Sequence, residues 1–148
     1  MKPIQALLVS MIFSMGIIIP GCETFCGKCY CDNLDAQDLP LNENFEMKFG
    51  EAYCNPENRF VLTFDSLYGD GRCPIGLYCI WEGNARVHFT LEDKKEGISE
   101  FTFNTFSGLL TDTTIHGIHF KLIDLEPYPI VDVDYKQEVY TATVLISE

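Results

Sequence analysis

The chain has 148 residues, enough for one domain, and its 22 Asp and Glu outnumber 10 Lys and Arg, giving a formal net charge of −12. That acidic balance excludes nucleic acid as a partner, because phosphates are met by Lys and Arg that displace counterions. A domain of this length buries about two-thirds of its unfolded surface, so it needs no cofactor to hold a core, and none is expected.

Met1 and Lys2 make a minimal basic start, and Ile4 to Ile19 is almost wholly apolar. The run is too short and too weakly flanked for a membrane-spanning helix and reads as the core of a secretory signal. It ends in Ile19-Pro20-Gly21-Cys22, which resembles the lipobox of bacterial lipoproteins, where an aliphatic, a variable and a small residue precede a cysteine acylated after cleavage. The resemblance implies a lipoprotein signal peptide over residues 1–21 and lipidation of Cys22. It also implies membrane attachment through that lipid, in the bacterial cell envelope at the outer membrane or periplasmic face. Cleavage before Cys22 removes one charge, that of Lys2, and moves the formal charge from −12 to −13. A soluble body held by lipid rather than by a basic patch fits that balance.

With Cys22 assigned to lipid, Cys26, Cys29, Cys31, Cys54, Cys73 and Cys79 remain, an even set that reads as disulfides in an exported chain. Sequence alone does not choose among the pairings. The cluster Cys26-Gly27-Lys28-Cys29-Tyr30-Cys31 has a spacing that suits a soft metal, but disulfides are the expectation in an oxidising compartment. Residues 22–43 are Cys-rich, then acidic and polar, with Pro40 and no sustained period, and read as a tether.

From residue 44 to the end the period is two. Phe45, Met47 and Phe49 alternate with Glu46 and Lys48, and Phe60, Leu62 and Phe64 alternate with Thr63 and Asp65, marking two strands with a turn over Cys54-Asn55-Pro56-Glu57-Asn58. A loop is expected from Asp65 to Tyr78, then a strand carrying Trp81. Ala85, Val87, Phe89 and Leu91 form one strict row, Asp93 to Gly97 a hairpin tip, and Phe101 and Phe103 the returning strand. Ile118, Phe120 and Leu122 mark another strand, which Pro127 and Pro129 must end. The last strand, Glu138 to Ser147, is apolar or β-branched on both faces and suits a central position. No ten-residue helical pattern occurs beyond the signal. The expected fold is all-β, an antiparallel β-sandwich or small barrel of about six to eight strands, disulfide-stapled.

The run Asp70-Gly71-Arg72-Cys73-Pro74, followed by Cys79-Ile80-Trp81-Glu82-Gly83-Asn84-Ala85, resembles a signature of small, uncharacterised exported proteins and lipoproteins of bacteria, of the Bacteroidetes type. In them an Asp-Ser-Arg-Cys-Pro turn precedes Cys-x-Trp-Ala-Gly and an alternating strand, and later an apolar strand, a Pro-x-Pro loop and a final strand. Here Gly71 stands where Ser is usual and Glu82 where Ala is usual. The likeness spans about Phe45 to Ser147. It implies no activity, and it implies that Cys73 and Cys79 are mutual partners. A bridge closing so short a loop contributes about 2 kcal/mol, so its main effect is on local shape. The other four cysteines lie outside that pattern, and Cys54 is expected to pair with one of the N-terminal three.

Trp81, the only tryptophan, reads as a core plug beside a disulfide, by analogy with immunoglobulin-like sandwiches. The residues of this stretch expected at the surface, Asp70, Arg72 and Tyr78, are the binding candidates. His116 and His119 face opposite sides of a strand and could converge on a metal only across a turn, so they read, with His88, as surface histidines. Glu126, Asp132 and Asp134 lack the glycine turn of a calcium loop and read as a solvated edge that blocks strand addition. No phosphate loop, Gly-x-Ser-x-Gly elbow or His-Glu-x-x-His helix occurs. The expected function is therefore that of a lipid-anchored, non-enzymatic extracytoplasmic module, binding or structural, with an envelope protein or glycan as partner. The alternatives are an inhibitor of extracytoplasmic proteases, presenting the loop between Cys73 and Cys79, and a metal-dependent hydrolase.

Overall fold

The computed structural model describes Cys31, residues 36–55, Glu57 and residues 60–148. Among these residues the period-2 pattern builds nine strands: β1 (Ala36–Asp38), β2 (Asn44–Lys48), β3 (Ala52–Asn55), β4 (Phe60–Asp70), β5 (Ala85–Asp93), β6 (Gly97–Asn104), β7 (Asp112–Ile115), β8 (Ile118–Glu126) and β9 (Thr141–Ser147). They form a five-stranded sheet in the order β1-β3-β4-β5-β6 and a four-stranded sheet in the order β2-β9-β8-β7. The sheets pack as a sandwich and do not close into a barrel, and every pairing is antiparallel except that of β1 with β3.

Alternation decides which side chains lie between the sheets. Ala85, Val87, Phe89 and Leu91 of β5 face inward and meet Phe120 and Leu122 of β8 and Ala142, Val144 and Ile146 of β9 in one continuous core. Aromatic contacts bridge the layers: Phe101 to Phe120 at 5.4 Å and Phe60 to Phe120 at 6.1 Å between ring centroids. Each fully buried phenylalanine contributes about 1.5–3 kcal/mol through the area it removes from water. Strand β9 is central, between β2 and β8, as its two-faced composition requires.

Several boundaries differ from the sequence reading. Strand β4 runs to Asp70 instead of yielding to a loop at Asp65, because register shifts after Phe64 and after Leu67 break the alternation while keeping both side chains inward. The chain turns at Phe49 and Gly50, so Cys54 and Asn55 belong to β3, paired with β4, and β2 joins the opposite sheet. The tether expected over residues 22–43 contributes β1 and the buried Leu39 to the sandwich.

Cys54 is bonded to Cys31, with 5.7 Å between the Cα atoms. The pair covers Val61 on the outer face of the five-stranded sheet. The expected pairing of Cys54 with one of the N-terminal three thus takes Cys31. Cys22, Cys26, Cys29 and the signal segment lie outside the described residues.

The core assignment makes a quantitative prediction. Phe89→Ala should lower unfolding stability by about 3–5 kcal/mol in a denaturant titration, because the cavity is walled by three further rings. Ile98→Ala, at a side chain 70% exposed, should change it by no more than about 0.5 kcal/mol. Equal costs at the two positions would contradict this packing.

Candidate functional site

Strands β4, β6 and β8 end, and β5, β7 and β9 begin, at the same end of the sandwich. Three connections therefore share one pole: residues 71–84, 105–111 and 127–140. They are cross-tied. The Asn84 amide donates to the Asn104 side-chain oxygen at 2.8 Å, and the backbone N–H of Phe106 donates to Asn84 Oδ1 at 3.0 Å. On the other side the N–H of Ile75 donates to the Pro129 carbonyl at 2.9 Å, and that of Val131 donates to the Ile75 carbonyl at 3.2 Å.

The base of the first connection is a buried ion pair. Arg72 Nε donates to Asp70 Oδ1 at 2.9 Å and Nη2 to Oδ2 at 2.6 Å, a two-point fork whose side chains are 5% and 7% exposed. Its remaining donors reach the carbonyl of Leu125, at the end of β8, at 2.5 Å and that of Pro127 at 2.8 Å, and its guanidinium lies 4.8 Å from the Tyr128 ring centroid. The Tyr140 hydroxyl donates to Asp70 Oδ2 at 3.1 Å. Burial would raise the Asp70 carboxyl, but the hydrogen bonds and charge of Arg72, helped by Tyr140, outweigh it and hold the group below its ordinary value. Burial and the adjacent Asp70 charge push Tyr140 up to about 12. Asp70 and Arg72 were expected at the surface, and the structure turns both inward, where they pair with each other.

Above this base the chain folds tightly. Leu77 N–H donates to the Pro74 carbonyl at 3.1 Å across a turn that Gly76, at φ +101°, allows. Cys73 and Cys79 are bonded, with Cα atoms 6.0 Å apart, as the family resemblance implied. The two sides of the loop meet through Cys73 N–H to the Glu82 carbonyl at 2.7 Å. At Gly83, φ +77°, an added Cβ would lie 2.0 Å from the Gly71 carbonyl oxygen, so only glycine closes the loop this way.

Tyr78 does stand at the surface, with Ile80 beside it, both free of neighbours at 108% and 107% exposure. Trp81 is not the core plug expected. It lies before the first residue of β5, beyond the end of the inward row, and is 60% exposed with its edge against Phe106 at 6.0 Å. The pole also exposes Leu109, Leu110, Ile130, Val131 and Val133, which sequence reading passed over. Of the 15 large apolar side chains exposed among the described residues, 12 lie in these three connections. Their signal was apolar residues in segments where no strand period accounts for them. A groove of about 540 Å³ runs beside the staple, lined by Pro74, Leu77, Pro129, Ile130 and Val131 together with Asp132, Asp134 and the ion pair of Asp70 and Arg72.

The other candidates do not converge. His116 and Gly117 form the turn between β7 and β8, and His116 approaches Ser99 while His119 lies 3.5 Å from Asp112. His88 sits on the outer sheet face, 3.0 Å from Thr102 Oγ1. Glu126 ends β8, and Asp132 and Asp134 lie in a loop rather than on a strand edge. A metal-dependent hydrolase would need about three convergent ligands, and among the described residues no three His, Cys, Asp or Glu converge. Comparison with protein families, with curated proteins and with solved structures finds no match to the chain.

The ion pair makes stability depend on pH at both extremes. The depressed Asp70 carboxyl contributes stability that is complete above the unfolded value near about 3.9 and is lost as pH falls through its lower folded value. Tyr140, raised to about 12, contributes below about 10 and loses its share as pH rises through 12. Unfolding free energies measured from pH 2 to 7 should therefore drop on the acid side for the native protein and drop less for Asp70→Asn, which begins less stable. Ultraviolet titration should show a tyrosine ionising near 12 that Tyr140→Phe removes. Identical acid slopes for native protein and Asp70→Asn would contradict the assignment.

Proposed function

We propose that the protein is a lipid-anchored extracytoplasmic binding module, held in the bacterial envelope through Cys22, whose stapled pole engages an envelope protein or glycan. The concentration of 12 exposed apolar side chains at one braced end carries this reading, since water-facing apolar patches of such density mark interaction surfaces. Loops on a rigid β-frame are the usual seat of binding, and here the staple and cross-ties remove much of the ordering cost. Both disulfides fit an oxidising compartment, as an exported chain requires.

The membrane reading does not rest on a helix: among the described residues none is long and apolar enough to cross a bilayer. It rests on the lipobox resemblance at Cys22 and on the apolar run before it. A second reading, inhibition of extracytoplasmic proteases, is favoured by one observation, the complete exposure of Tyr78 within the ring closed by Cys73 and Cys79.

Two measurements test the main reading. Mass spectrometry of the native N-terminus should show acylated Cys22, with Cys22→Ala released from the membrane fraction; an unmodified terminus elsewhere would refute anchoring. A photo-crosslinking residue at Ile80 should trap a defined envelope component in cells, whereas one at Ile98, on β6 away from the pole, should trap none. Equal labelling from both positions, or none from either, would refute binding through the pole.

A further inference from the structure

We infer that the stapled loop is a reversible plug for an extracytoplasmic endopeptidase whose specificity pocket accepts aromatic side chains, and that Tyr78 is the residue inserted. This rests on the protease-inhibitor reading and narrows it to one side chain and one class of partner. Within the ring from Cys73 to Cys79, Tyr78 has the most exposed side chain, at 108%, while Leu77 is 54% exposed and Ile75 59%. An aromatic side chain held out by a closed ring presents large apolar area with few torsions left to freeze.

An exposed ring on a closed loop suits a partner with a pocket to receive it. Tyr78 and Ile80 are fully exposed, Trp81 is exposed beside them, and the other two connections add the exposed Leu109, Leu110, Ile130 and Val131. A cleft that holds an extended substrate offers a pocket for one side chain and apolar walls around it, which suits one fully exposed ring among exposed apolar neighbours. Charge excludes two other occupants. The exposed charges of the three connections are Glu82, Asp132, Asp134 and Glu138 against Lys136, with Arg86 at the start of β5, so the balance is acidic: a second copy would meet like charge, and an anionic lipid surface would be repelled.

The same geometry explains how such a loop could resist turnover. Cleavage of an ordinary substrate frees a fragment that diffuses away. Here the two sides of any cut within the ring stay joined through the bridge of Cys73 and Cys79, and the Cys73 to Glu82 and Ile75 to Pro129 hydrogen bonds hold the flanks in place. No fragment leaves, and the pocket remains filled.

The test uses the mature chain carrying Cys22→Ala against three purified serine proteases, one specific for aromatic residues, one for basic residues and one for small residues. Competitive inhibition is expected for the aromatic-specific protease alone. Tyr78→Ala should weaken it by about 30-fold or more, as for a central anchor, and Tyr78→Phe should retain it. Because Tyr78 packs against nothing, both variants should unfold at the native midpoint, which checks that the fold is intact. Absence of inhibition, equal inhibition by Tyr78→Ala, or rapid release of active protease after loop cleavage would each overturn the inference. If crosslinking from Ile80 persists while no protease is inhibited, the plug fails and the binding module stands.

Discussion

The pole depends on one guanidinium. Arg72 ties the end of β4, through Asp70, to the end of β8, through the carbonyls of Leu125 and Pro127, and so fixes where the chain leaves both sheets. A buried charge pair stabilises only when its geometry is good and its other donors are satisfied, because desolvation opposes it. Both conditions hold here: the fork is two-pointed, the outer donors meet carbonyls, and no buried side-chain polar atom among the described residues lacks a partner. Lysine could not replace it, having neither the planar fork nor enough fixed donors to reach both strand ends.

From that anchor follows a division of labour along the molecule. The phenylalanine-rich middle supplies most of the apolar burial, while the pole leaves apolar side chains such as Tyr78 and Ile80 in water. The bond between Cys31 and Cys54 lies toward the other end, where Cys54 pairs with Val61 near the start of β4. The 11 residues of β4 separate that end from Asp70 by roughly 30–35 Å. The bond of Cys31 with Cys54 and the three connections beyond Asp70 thus lie toward opposite ends of the sandwich.

How much of this was legible in the sequence varied with the physics at each place. The hairpin of β5 and β6 was read correctly because its alternation is unbroken across eight paired positions and ends in a glycine turn. The second half of β4 was missed because bulges put Phe64 and Leu67, three apart, on the same face, and β8 does the same with Leu122 and Leu125. Strand β3 was hidden by Cys-Asn-Pro, which reads as a turn. Trp81 was misplaced because an analogy with other sandwiches ignored where the strand begins. The burial of Arg72 could not be read at all, since its partners Leu125, Pro127 and Tyr128 are more than fifty residues away in sequence and are brought to it only by the pairing of sheets. Of the three residues expected at the surface, only Tyr78 is there, because Asp70 and Arg72 neutralise each other at the base of the loop.

The most direct test of the role given to Arg72 is amide hydrogen exchange, residue by residue, in Arg72→Met, a substitution that keeps apolar volume and leaves the staple of Cys73 and Cys79 intact. The amides of Ile75 and Val131, which bond the first connection to the third, should lose protection, while those of Val87 and Phe89 in the central strand keep the larger part of theirs. Unchanged protection at Ile75 and Val131 would contradict the claim that the buried pair holds the pole in place.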